Sequence, residues 1–310
     1  MNKINSNILR GTVVALKANF LFVEIDFSDS VNQSSEKIRL LCTRRNKLNY
    51  KGLFIHVGDR VFVESIDYTN KRAVVIDVET RKSFLKHPAV ANVTLIAICI
   101  SVLDPLFDSD QTSRFLITAE SSKIRPLIIL TKIDLIKKYD LNLYINKLKL
   151  WGYDSIPVSI TNFQGIDLLV ERFRQTKLTV LAGPSGVGKT SLINYLIPSL
   201  SLQTSSVSKK LRRGTHTTRH VELFPIGNGS LLADTPGFNR PEIECEPSNF
   251  ASLFPEFRAQ LSHSKCKFRN CLHRDEPSCA IDKDFERYAF YRVNLEEMIN
   301  SHLPYQGGSV

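Results

Sequence analysis

Three short nucleotide-site motifs follow one another in an order that limits how this chain can fold. TKID occupies residues 131–134, GPSGVGKT occupies residues 183–190, and DTPG occupies residues 234–237. In an ordinary P-loop GTPase the phosphate loop comes first and the motif that reads the base comes near the end. The reversed order can enclose one nucleotide only if the strands of the domain are joined in a circularly permuted order. It therefore predicts a permuted α/β domain.

The phosphate loop is the strongest single motif. The apolar run LTVLAG before it predicts a buried parallel strand, and KTSLINYLI after it has helical spacing, which is the context that the motif requires. Backbone N–H groups and the helix N-terminus should hold the phosphates. Lys189 should reach the β- and γ-phosphates, and the Thr190 hydroxyl should coordinate Mg²⁺. The predicted phosphate-binding residues are Gly183, Pro184, Ser185, Gly186, Val187, Gly188, Lys189, Thr190 and Ser191.

The TKID segment predicts the choice of base. It follows the apolar run RPLIIL, so Asp134 should lie at the carboxyl end of a strand, where open α/β sheets bind ligands. A carboxylate there can accept hydrogen bonds from N1–H and the exocyclic amine of guanine, and adenine has no such pair of donors. Taken alone, TKID also fits a solvated loop. Together with the phosphate loop, it predicts that Thr131, Lys132 and Asp134 bind a guanine nucleotide.

The DTPG segment predicts contacts with the metal and the γ-phosphate. Asp234 should hold Mg²⁺ through water, and the Gly237 N–H should sense the γ-phosphate. The next residue is Phe238, where many GTPases have a glutamine that orients the attacking water. An apolar ring cannot orient water, so another group must do so or intrinsic hydrolysis must be slow.

The nearest candidate for that group is His216, in the basic segment RRGTHTTRH. A lone histidine in a basic loop is ordinarily just solvated, and this alternative stays open on sequence grounds. The neighbouring Thr217 and Thr218 offer a hydroxyl for Mg²⁺ or the γ-phosphate, and their spacing does not decide which of them is used.

A cluster near the C-terminus predicts a metal site. Cys266, Cys271, His273 and Cys279 lie within fourteen residues and supply three thiolates and one imidazole, the ligand set of a structural tetrahedral Zn²⁺ site. Free thiols are the alternative. The other cysteines are scattered and are interpreted as small buried hydrophobic or incidental residues.

The N-terminal part of the chain predicts a small antiparallel barrel. From residue 8 to residue 78, short apolar runs alternate with Gly, Asn and Asp turns. TRRNK at residues 43–47, with Tyr50 nearby, offers charge and a stacking surface for nucleic acid, and an exposed hairpin is the alternative. The 41 basic and 31 acidic residues leave a net charge of +10, which suggests an anionic partner or only solubility. No apolar signal region is present, and the longest apolar run is too short to span a bilayer, so we expect a cytoplasmic protein.

Taken together, these motifs resemble the ribosome small subunit-dependent GTPase A family of bacteria. The resemblance runs end to end through CTRRNKL, VGDRV, RKSFLKHPAVANV, TKID, GPSGVGKT, HTTRHVEL, DTPGF and the Cys/His cluster. It implies that His216 is catalytic and that Ser159 begins a second guanine-contacting loop. One departure is Asn46, where the family usually has glycine; asparagine tolerates a left-handed backbone, so the turn should survive.

The resemblance also implies a multidomain architecture and a partner. The expected domains are an OB-fold RNA-binding barrel over residues 1–80, a permuted P-loop GTPase domain over 81–240 and a helical zinc-binding domain over 241–310. The expected ligands are GTP or GDP, Mg²⁺ and one Zn²⁺. The expected partner of the monomer is the small (30S) ribosomal subunit with its 16S rRNA, where GTP hydrolysis late in maturation would release the factor. No membrane is expected to be involved.

Three further interpretations stay open at this point. The segment from Asp284 to His302 has roughly helical spacing, which predicts a terminal helix on the zinc module, or alternatively a helix that docks on the ribosome. A nucleotide-gated RNA-binding placeholder is a rival to an enzyme proper. A P-loop small-molecule kinase is a third possibility, opposed by TKID and by the lack of an obvious phosphate-acceptor site.

Overall fold

The computed structural model of the chain describes residues 8–17, 20–28, 35–45, 54–200, 221–234, 241 and 243–302. The chain divides into two compact units. Unit one comprises residues 1–97, 166–182 and 188–239, and unit two comprises residues 98–165, 183–187 and 240–310. The predicted domain boundaries after residues 80 and 240 stay predictions. Within the described ranges, no helix is long and apolar enough to cross a membrane.

Unit one begins with a closed five-stranded barrel. Its strands are β1 (Leu9–Lys17), β2 (Phe20–Ser28), β3 (Ser35–Arg44), β4 (Arg60–Asp67) and β5 (Arg72–Val78). All neighbouring strands are antiparallel except β3 and β5, and pairing of β1 with β4 closes the barrel. Alternate residues point inward, so Val13, Val23, Leu40, Val61 and Val75 are buried together in its core. The predicted OB-like barrel is confirmed.

The rest of unit one carries part of the α/β domain. It contains β6 (Phe84–Leu85), β7 (Val90–Ala91), α3 (Ile166–Arg174), β11 (Leu178–Ala182), α4 (Lys189–Leu196), β12 (Glu222–Pro225) and β13 (Leu231–Asp234). β11 is parallel to β13 and buried along its whole length, as the apolar run predicts. β12 pairs with both β13 and barrel strand β1, so the barrel and this part of the α/β domain share one sheet.

Unit two carries the remaining strands and most of the helices. Its α/β elements are β8 (Leu95–Ser101, of which residues 98–101 belong to this unit), α1 (Ser109–Ser121), β9 (Pro126–Thr131), α2 (Lys138–Leu150) and β10 (Ser155–Pro157). β9 and β10 are parallel neighbours, and β8 lies on the other side of β9. The carboxyl ends of β9 and β10 therefore lie at the same edge of the sheet.

The C-terminal part of unit two is helical. It contains α5 (Pro247–Phe250), α6 (Pro255–His263) and α7 (Tyr288–His302). Its core is aromatic, with the Phe254 ring edge-on to Phe257 and to Tyr291. The predicted C-terminal helix is confirmed, but it begins at Tyr288 and not at Asp284.

Candidate nucleotide site and metal centre

The phosphate loop has the strand–turn–helix geometry that its sequence predicts. Gly183 follows β11 with φ of +133°, and a Cβ atom there would lie 2.2 Å from the Cys99 carbonyl oxygen. Only glycine fits this close approach. The loop ends at Gly188, which has φ of 97° and directly precedes the first residue of α4, Lys189. Thr190 and Ser191 are the second and third residues of α4. The N-terminus of this helix provides the partial positive charge expected at a phosphate site.

The TKID segment, which is predicted to read the base, is hydrogen-bonded to the phosphate loop within unit two. The Thr131 hydroxyl is buried, and its Oγ1 lies 2.6 Å from the carbonyl oxygen of Val187 and 3.2 Å from that of Ile100. A threonine hydroxyl thus ties the end of β9 to the turn 56 residues further along the chain. This contact brings together the two motifs whose order is reversed in the sequence.

Lys132 has a partner that sequence reasoning missed. Its backbone is left-handed (φ 56°, ψ 36°), and its Nζ donates to the Asp104 carbonyl oxygen at 2.7 Å and lies 3.1 Å from Oδ2 of the same residue. A Cβ atom on Gly186 would lie 3.9 Å from Pro105 Cδ. The loop after β8 therefore borders both motifs. A signal was available, because this loop follows a fully buried strand at the edge where ligands bind.

Asp134 and Ser159 lie together, as expected for two loops that contact one base. The buried Ser159 hydroxyl donates to Asp134 Oδ1 at 2.5 Å, while the Asp134 side chain is exposed. The Ser159 N–H donates to the Gln164 carbonyl oxygen at 2.9 Å, which closes the loop after β10. The serine thus orients a carboxylate that faces solvent, where it can accept hydrogen bonds from a ligand.

Several predicted site residues cannot be placed. His216, Thr217, Thr218 and Gly237 lie outside the described residues, as do Asn46 and Tyr50. Asp234 ends β13, but only its backbone is described. Pro184 and Ser185 lie in the phosphate loop between Gly183 and Gly186. The nucleotide-binding and Mg²⁺-binding roles of the predicted residues stay predictions.

The four predicted metal ligands come together in unit two. The His273 Nδ1 atom lies 3.5 Å from Cys266 Sγ, 3.6 Å from Cys271 Sγ and 3.5 Å from Cys279 Sγ. All four ligand atoms lie within 4.8 Å of one another. A tetrahedral zinc with ordinary Zn–S and Zn–N bonds requires sulfur–nitrogen separations of about 3.6 Å. The cluster therefore fits a structural zinc ion.

Local groups hold this cluster in shape. The Ala280 N–H donates to Cys266 Sγ at 3.3 Å, and the Tyr288 hydroxyl donates to the His273 carbonyl oxygen at 3.0 Å. Burial lowers the pKa of His273 and so favours the neutral imidazole, the form that can donate a lone pair to a metal. Burial also raises the pKa of the Cys271 thiol to about 12. Bound zinc would favour the thiolate, and metal uptake should therefore release protons.

Removal of zinc should unfold the ligand loop. We expect one Zn²⁺ per chain, and its chelation should expose amides between Cys266 and Cys279 to hydrogen exchange, since so short a loop has little core of its own. The GTPase part should stay folded. Zinc content can be measured by atomic emission after purification without chelator. Cys271→Ser should lower it, whereas the control Cys245→Ser, outside the cluster, should not. Protein purified in this way and found free of zinc would contradict the prediction.

Comparison with known proteins identifies the family. The family model described as RsgA GTPase matches residues 71–244. A curated relative named small ribosomal subunit biogenesis GTPase RsgA, from Prochlorococcus marinus strain NATL2A, is 78% identical over an alignment of 312 positions that covers 99% of this chain and 100% of the relative. A relative of the same name from the SARG strain of the same species is 51% identical over 308 residues, covering 97% of this chain and 100% of the relative.

Solved structures show the same architecture. The structure of YloQ, described as a circularly permuted GTPase, matches with a TM-score of 0.77 and 28% identity over 98% of this chain and 100% of that chain. YjeQ from Thermotoga maritima matches with a TM-score of 0.76 and 28% identity over 94% and 99%. The predicted permutation is thus confirmed together with the barrel and the helical C-terminal region that carries the Cys/His cluster. The chain belongs to the RsgA GTPase family, and it is a GTP hydrolase.

Proposed function

We propose that this protein hydrolyses GTP on the small (30S) ribosomal subunit late in subunit maturation, that the subunit stimulates hydrolysis, and that hydrolysis releases the factor. Thr131 joins the base-reading segment to the phosphate loop, which is the arrangement that one bound guanine nucleotide requires. The relatives that match nearly the whole chain are named for biogenesis of the small ribosomal subunit.

The predicted residues divide the work of hydrolysis. Asp134, oriented by Ser159, would accept hydrogen bonds from guanine, and Lys132 would line the base site. The backbone of the phosphate loop and Lys189 would bind the phosphates. Mg²⁺ would be held by Thr190, Asp234 and either Thr217 or Thr218.

The attacking water needs a separate group to orient it. We assign that role to His216, with the Gly237 N–H at the γ-phosphate. The zinc site would be purely structural, because its four protein ligands leave no open coordination position.

Exposed basic groups support 16S rRNA as the bound component. On the barrel, Arg45 lies at the end of β3 with its side chain exposed. Beside the metal cluster, Lys265, Lys267 and Arg269 are exposed, and Lys267 lies 5.7 Å from the centre of the partly exposed Phe268 ring. Cations next to an accessible aromatic ring are suited to phosphate and base contacts. We propose that the protein acts on the small subunit as a monomer in the cytoplasm and that no membrane takes part.

Binding to the small subunit should depend on nucleotide and on salt. We propose that the γ-phosphate orders the basic segment RRGTHTTRH around His216. A non-hydrolysable GTP analogue should then favour retention of the protein on the small subunit, and GDP should favour its release. Raising the salt concentration should weaken retention steeply, because phosphate contacts release counterions. Co-sedimentation with purified small subunits, in both nucleotides and at two salt concentrations, measures this. Equal retention with the two nucleotides would contradict the proposed dependence of binding on the γ-phosphate. No retention with either nucleotide would contradict the small subunit as the partner.

A further inference from the structure

One buried arginine joins the C-terminal helical region to the α/β part of unit two. Arg287 directly precedes α7, and its side chain is only 1% exposed. Its Nε donates to Glu256 Oε1 at 2.7 Å and its Nη2 pairs with Oε2 of the same carboxylate. Its guanidinium carbon lies 5.0 Å from the ring centre of Trp151 and 5.4 Å from that of Tyr153. The guanidinium is therefore held by a carboxylate and lies close to two aromatic rings.

The preceding residue holds the same part of the α/β domain. Glu286 accepts a hydrogen bond from Trp151 Nε1 at 3.1 Å, and its Oε1 lies 2.5 Å from Lys147 Nζ. Lys147 is in the last turn of α2, and Trp151 directly follows that helix. Two adjacent residues thus hold the C-terminal end of α2 and the turn that leads into β10.

The segment held in this way connects the two proposed guanine-contacting loops. It starts four residues after Asp134, where α2 begins, and β10 ends two residues before Ser159. The Asp134 carboxylate takes its orientation from the Ser159 hydroxyl. A shift of the turn at Trp151 and Tyr153 would move β10, and with it the hydroxyl that orients the carboxylate. Displacements of about 1 Å are enough to impair a hydrogen-bonding site.

Packing alone does not account for a guanidinium at this position. Burial of a charge carries a desolvation cost that an apolar side chain of similar size would avoid. The charge instead provides directional contacts, one set to α6 through Glu256 and another to the turn after α2, including Nη2 at 3.5 Å from the Trp151 carbonyl oxygen. We propose that Arg287, assisted by Glu286, is a positioning residue for the guanine-reading pair Asp134 and Ser159. This inference rests on the proposed role of Asp134 in reading guanine.

The test compares two nucleotides that differ only in the exocyclic amine. GDP can donate two hydrogen bonds to Asp134 and inosine diphosphate only one, so the ratio of their affinities reports the placement of the carboxylate. In the full-length double variant Arg287→Met with Glu256→Gln, which removes both charges, GDP binding should weaken about tenfold. Inosine diphosphate binding should weaken less, so the ratio of the affinity for GDP to the affinity for inosine diphosphate should decrease. Calorimetry measures both affinities, and circular dichroism checks the fold.

A matched control lies on α7, the helix that directly follows Arg287. Arg292 carries the same guanidinium on α7, but it is half exposed and pairs with Asp275 and Glu296. Arg292→Met should therefore leave the ratio of the two affinities unchanged. If Arg292→Met lowered the ratio of GDP affinity to inosine diphosphate affinity as much as the double variant does, the effect would not be specific to Arg287 and the positioning role would be wrong.

Each remaining outcome bears on the proposal. A folded double variant with the wild-type ratio overturns it, because a merely structural arginine would not change discrimination between the two bases. If the double variant does not fold, the same two affinities are measured for Glu286→Ala. A lower ratio of GDP affinity to inosine diphosphate affinity than in the wild type supports the positioning role, and an unchanged ratio overturns it. A wild-type protein that binds GDP and inosine diphosphate equally would instead remove the Asp134 assignment, and the positioning role with it.

Discussion

Asp134→Asn should weaken GDP binding by about 10²-fold or more and should improve the binding of xanthosine diphosphate. A site built to hydrogen-bond particular donors rejects ligands that lack them by large factors, because its own polar group is then left unpaired. The wild-type carboxylate, oriented by Ser159, accepts from N1–H and the exocyclic amine of guanine. Xanthine replaces that amine with a carbonyl oxygen. An asparagine amide can accept from its N1–H and donate to that oxygen.

Equilibrium binding of fluorescent GDP, with ADP and xanthosine diphosphate as competitors, measures this exchange of preference. Asp140→Asn is a matched control, because Asp140 is an exposed aspartate in the first turn of α2, six residues along the chain. It should leave the preference for guanine intact. Equal binding of ATP and GTP by the wild-type protein would rule out Asp134 as the residue that selects the base.

His216→Ala should lower GTP turnover by about 10²-fold or more and barely change nucleotide affinity. The size is that usually lost when a positioned acid, base or water-orienting group is removed. The reason is chemical: Phe238 occupies the place of a water-orienting glutamine and cannot hydrogen-bond to water. Lys189→Ala should behave differently, since loss of a cation at the phosphates should impair binding itself.

Turnover should be measured with and without purified small subunits, and affinity by titration with a non-hydrolysable analogue. His220→Ala is a suitable control, because it makes the same substitution four residues away in the same basic segment. It should retain subunit-stimulated turnover. If His216→Ala retained it too, His216 would have no part in the mechanism.

Local patterns in the sequence were sufficient for the elements and for the compact metal site. β11 could be predicted because a strand that is buried on both faces has a continuous apolar sequence. The barrel could be predicted because buried apolar residues alternate with more exposed residues along its strands. Cys266 and Cys279 are only thirteen residues apart, so a short loop suffices to bring the ligands to one point. The order of TKID and the phosphate loop determined the permuted topology, since one nucleotide must touch both.

Only the tertiary structure decided which side chains hold these motifs in place. Lys132 finds Asp104 across 28 residues, and Arg287 reaches Trp151 across 136. Asp284 to Arg287 were predicted to extend the last helix, yet this segment lies outside it, and Glu286 and Arg287 contact the turn after α2. Hydrophobic periodicity encodes which face of an element is buried, because that depends on near neighbours in the chain. It does not encode which distant loop meets that face, since the partner is chosen by the packing of the whole unit.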